Sequence, residues 1–181
     1  MQLRPLLQIQ TIIKAISEDI IPALDQANQL AMQSAHLTIG TLALIAQHLP
    51  LEYRYDCDEL ARLIECAKSL GEQLQPECSA TAAAELTEAG KVGSDVLSRA
   101  RAEPGEIVDA VRRLRAASAK AVSAVYDAGS AAAQAAVQET VLSMSKQQLL
   151  RDRSWLLMQG WEPDPKSVPG IAELLTSKWP L

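Results

Sequence analysis

Phenylalanine is absent from the 181 residues, tyrosine and tryptophan occur three times each, and aromatics make up only 3%. Strands draw on aromatic and β-branched side chains, so this scarcity argues against a sheet protein. Histidine occurs twice, as His36 and His48. Neither stands three residues from Glu or Asp, so the Glu-x-x-His pairs of a di-iron bundle are missing, and so is HExxH. Cys57, Cys66 and Cys78 are odd in number and form no CxxC, which excludes zinc-finger spacing and reads as free thiols in a reducing cytoplasm. No metal and no cofactor is expected. No run approaches the roughly 20 apolar residues of a membrane span, and "GKVGSD" lacks the spacing of a phosphate-binding loop.

Basic charge is also short. Seventeen Lys and Arg against 22 Asp and Glu leave a net charge of −5. That balance argues against nucleic acid, whose binding needs a basic surface that releases counterions, and against an anionic membrane surface. The densest basic cluster, Arg112, Arg113 and Arg115, reads as a solvated helix face. The N-terminal stretch "MQLRPLLQIQTIIKAISEDII" has spaced rather than continuous apolar residues and reads as an amphipathic helix, not a secretory signal.

What is abundant is alanine, leucine, glutamine and glutamate, all good helix formers. The expectation is an all-α helical bundle of four to six helices, with one long C-terminal helix and a short amphipathic tail. Residues 1–162 form the bundle and residues 163–181 the Pro-containing tail. Ile9, Ile12, Ile13, Ile16 and Ile20 share a stripe over residues 6–21. Leu24 to Leu49 continues it through Ala27, Leu30, Leu37, Leu42 and Ile45. Asp56, with Glu59 three residues on, has the pattern of a capping box ahead of Leu60, Leu63, Ile64, Ala67 and Leu70. A fourth helix is expected over Ser79 to Ala102, with Leu86, Val92, Val96 and Leu97 inward and with Gly90 and Gly93 as weak points. Pro104 restarts a period kept by Ile107, Val111, Leu114, Ser118, Val122, Val125, Ala132, Ala136, Leu142 and Leu149. The segment is either one very long helix or two helices broken near "YDAGSAAA"; Gly129 is the only candidate break and no proline supports it, which favours one continuous or gently bent helix.

All three tryptophans, Trp155, Trp161 and Trp179, fall near the end of the chain. Gly160 sits where a left-handed cap belongs, Trp161 follows it, and Pro163 and Pro165 bar any continuation. This is the pattern of a Schellman ending in which Trp161 folds back on Leu156 or Trp155. Beyond it Ile171, Leu174, Leu175 and Trp179 share one face, which must cover something apolar. Trp155, Trp161, Ile171, Leu174, Leu175 and Trp179 are therefore the candidate interaction residues.

One polar residue merits a functional reading. In "SAHLTIGTLAL", His36 lies four residues before Gly40, and the pair resembles the phosphorylatable motif of histidine phosphotransfer domains, which are also helical bundles. The resemblance implies a phosphoryl-accepting His36. The family's lysine three residues after the histidine is Ile39 here, which removes the charge that would neutralise a phosphohistidine.

"RPLLQIQTIIKAISEDIIPAL" and "AHLTIGTLALIAQHLPLEY" together resemble the start of a family of small all-helical bacterial domains of unknown function. That family is often encoded beside aminoglycoside-phosphotransferase-like kinases and acyl-CoA dehydrogenases. The likeness covers the first third of the chain and implies a helical fold and that genomic neighbourhood in a bacterium, not an activity. From the residues themselves, the expected function is a non-enzymatic interaction module acting by self-association or by docking a partner protein. The alternative is a binder of, or an enzyme for, a small apolar or acyl ligand held between the helices.

Overall fold

Helix-forming composition becomes helix nearly throughout. The computed structural model describes residues 4–74, 78–99 and 101–175, and among the described residues there is no strand. The protein is all-α. It carries more helical elements than the four to six expected: α1 (Pro5–Ala15), α2 (Ile21–Ala23), α3 (Gln29–His48), α4 (Glu52–Gln73), α5 (Ala80–Ser98), α6 (Pro104–Ala128), α7 (Ala131–Trp155) and the single turn α8 (Ile171–Leu174). A π-helical turn, Ile16–Ile20, joins α1 to α2. Short 3₁₀ turns occupy Leu157–Gln159 and Pro165–Ser167.

Contacts divide the chain into two compact units, Met1–Glu52 with Arg153–Ala172, and Tyr53–Asp152 with Glu173–Leu181. In the first unit Pro5 opens α1 at a position where its missing N–H is no loss. α1 packs on α3. The Asn28 side chain caps α3 by accepting from the Ala31 amide at 3.1 Å, so α3 begins at Gln29 instead of continuing from Leu24. The unit is thinly buried. α1 has no buried residue, and α3 has only His48.

The second unit holds the core. Leu60, Leu70, Ile107, Leu114, Val125 and Val137 are its largest fully buried side chains of α4, α6 and α7, and Leu86 and Val96 bring α5 into the same cluster. Gly93 is needed there, because a Cβ at that position would lie 3.0 Å from Leu114 Cδ1 and 3.3 Å from Leu60 Cδ1. α4 begins at Glu52, so Asp56 lies inside it and is not its cap. The capping box appears instead at α6, where Glu106 accepts from the Glu103 amide at 2.9 Å.

From Pro104 onward the alternative of two helices holds, not the favoured continuous one: α6 and α7 have 25 residues each. α6 ends at Gly129, whose backbone is extended (φ −82°, ψ 159°). A Cβ there would sit 2.5 Å from the Val125 carbonyl oxygen. Ser130 then caps α7 by accepting from the Ala133 amide at 3.2 Å. The Gln134 side chain reaches back to donate to the Tyr126 and Gly129 carbonyls, each at 3.3 Å. The break also shifts the helical phase. Ala133 and Val137 are buried in α7, whereas Leu142 and Leu149, expected inward, are exposed.

Candidate functional site

α4 and α7 each bring a polar stripe to the second unit. Asp58 and Arg62 lie one turn apart on α4, and Gln148, Arg151 and Asp152 lie within a turn of one another on α7. Asp58 accepts from Arg62 Nε at 2.8 Å and from Arg151 Nε and Nη2 at 2.6 and 3.2 Å. Arg151 also donates to the Gln147 and Leu174 carbonyls. Arg62 donates to Gln148 Oε1 at 2.9 Å and approaches Met144 Sδ at 3.7 Å. The Gln148 amide nitrogen donates to Tyr55 Oη and Asp152 Oδ1, both at 2.8 Å, and Tyr55 Oη donates to Asp152 Oδ1 at 2.6 Å. Burial, and then the hydrogen bond to Asp152, push the Tyr55 phenol well above its usual pKa.

A cavity of about 950 Å³ opens beside this network, between α4, α5 and α7. Its lining includes Glu65, Glu72 and Glu139 together with Ser94, Thr140 and Ser143. The network is internally satisfied: the Asp58 carboxylate is shared by two guanidiniums, and Tyr55 is held between an acceptor and a donor. Such an arrangement fixes α4 against α7 and leaves none of these groups poised as a base or a nucleophile. Buried Glu59 forms a further pair with Arg115, and Arg112, Arg113 and Arg115 are all exposed, as expected of a solvated face.

The candidate interaction residues are not gathered into one surface. Trp155 ends α7 and stacks on His48, with ring centroids 4.0 Å apart and planes 27° apart. Burial lowers the His48 pKa, and a hydrogen bond with the Trp155 backbone partly offsets this. Gly160 is left-handed (φ 70°, ψ 15°), as its position in the sequence implies, but it follows a 3₁₀ turn and does not directly cap α7. Trp161 is 74% exposed and does not fold back as a clasp. The turn is held instead by Arg153, which forks onto both Glu162 carboxylate oxygens at 2.8 Å, and this pairing holds Glu162 below the usual carboxylate range. Ser154 donates to the Pro169 carbonyl at 2.6 Å.

Ile171 and Leu175 are buried within the chain, and Leu174 is half-buried. The Leu175 carbonyl accepts from Arg54 at 3.2 Å. Trp179 lies outside the described residues. His36 is exposed on α3, one turn before Gly40.

Sequence reasoning missed two features. The buried network left only the Asp58–Arg62 spacing as a signal, because its other half lies some ninety residues away. The second feature is the outer face of α3. Leu30 and Leu37, expected inward, are 75% and 72% exposed. Among the described residues no group of three or more His, Cys, Asp or Glu side chains is placed to hold a metal ion, and no helix is long and apolar enough to cross a membrane. No protein-family model, curated protein or solved structure matches the chain.

Proposed function

We propose that this chain is a non-enzymatic interaction module that works by self-association or by docking a partner protein. One observation carries the reading: α3 is a helix of 20 residues without a single Asp, Glu, Lys or Arg, and it turns Leu30 and Leu37 to solvent. α1, packed on α3, leaves Leu7 and Ile12 about half exposed as well. Exposed apolar residues concentrated in one unit mark an interaction surface, since water contact at these side chains costs about 25 cal/mol per Å². The acidic net charge and the free thiols fit a bacterial cytoplasm as the setting.

Photo-crosslinking in living cells tests this reading. A photoreactive residue in place of Leu37 is expected to give discrete crosslinked protein products, whether of twice the chain's mass or of some other mass. The same residue in place of exposed Lys68 on α4 serves as the control. Products equally absent from both positions would overturn the interaction reading.

A further inference from the structure

We draw no further inference here: the strongest candidate, the cavity of about 950 Å³ between α4, α5 and α7, sets a cluster of exposed carboxylates (Glu65, Glu72 and Glu139) on a mixed apolar and polar lining, and among the described residues no unpartnered buried polar group lines it to point to a ligand.

Discussion

Asp58 lies on α4, half of its ion-pair partners lie on α7, and the pairing is what makes its burial tolerable. Removing one member of a buried ion pair leaves the other charge uncompensated, typically at a cost of about 3–5 kcal/mol. Asp58→Asn strands Arg62 and Arg151 together and is expected to destabilise the protein by about that much in urea unfolding. A loss under about 1 kcal/mol would mean the network contributes little to stability. His48 acts through pH. Its folded pKa is lowered by burial, so the folded state binds fewer protons than the unfolded chain just below the ordinary histidine value of about 6.5. Its stabilising contribution is therefore complete above that value and is lost as pH falls through it toward the folded pKa. The melting temperature is expected to decline from about pH 7.5 to about pH 5.5 in the parent and to decline less in His48→Phe, which keeps a ring against Trp155. An identical decline in both would assign the effect to other groups. Neither residue's role was legible in the sequence. Asp58 sits beside Glu59 in an ordinary charged run, and the Arg151 and Trp155 that give these residues their roles are about a hundred residues away.

At the scale of elements, composition and period place the helices well, and their ends depend on single residues. The inner face of α4 was readable because Leu60, Leu63, Ala67 and Leu70 keep one phase from end to end. The α6–α7 break was not, because both helices are rich in alanine and serine and the apolar period runs past Gly129 with no proline to stop it. What makes the break is local chemistry: a glycine whose Cβ would strike the Val125 carbonyl oxygen, and a serine that caps the next helix. Gly129→Ala is therefore expected to lower stability by about 1–3 kcal/mol. Gly90→Ala, in α5 with open space around its Cβ, is expected to raise it by up to about 1 kcal/mol. A Gly129→Ala variant as stable as the parent would show that α6 can run on through that position. Gly160 makes the complementary case. Its left-handed backbone was legible from the proline-flanked pattern, but the clasp was not, since Trp161 turns to solvent. Gly160→Val is expected to cost at least about 1 kcal/mol, and Trp161→Leu to stay within about 0.5 kcal/mol of the parent. Equal melting temperatures would refute the role of the left-handed residue.

For the molecule as a whole, the all-α class followed from what the composition lacks. The division into two units did not, because the first unit joins residues from the beginning of the chain to Arg153–Ala172, a pairing no local pattern announces. The same long-range closure decides the fate of the tail. Its apolar face was expected to be buried either on its own chain or across a subunit contact, and Val168, Ile171 and Leu175 are buried within the chain, at 5%, 6% and 1% exposure. Burying a side chain of that size is worth about 1.5–3 kcal/mol. Arg54 and Arg151 also each donate to a tail carbonyl, of Leu175 and Leu174 respectively. Deleting residues 166–181 removes these contributions together. The truncated protein is expected to lose several kcal/mol of stability and to bind more of an apolar dye. Its mass per particle in light scattering should match that of the full chain at the same concentration, because the proposed interaction surface lies on α3. A truncated protein that kept its stability but changed its oligomeric mass would move the interaction surface from α3 to the tail.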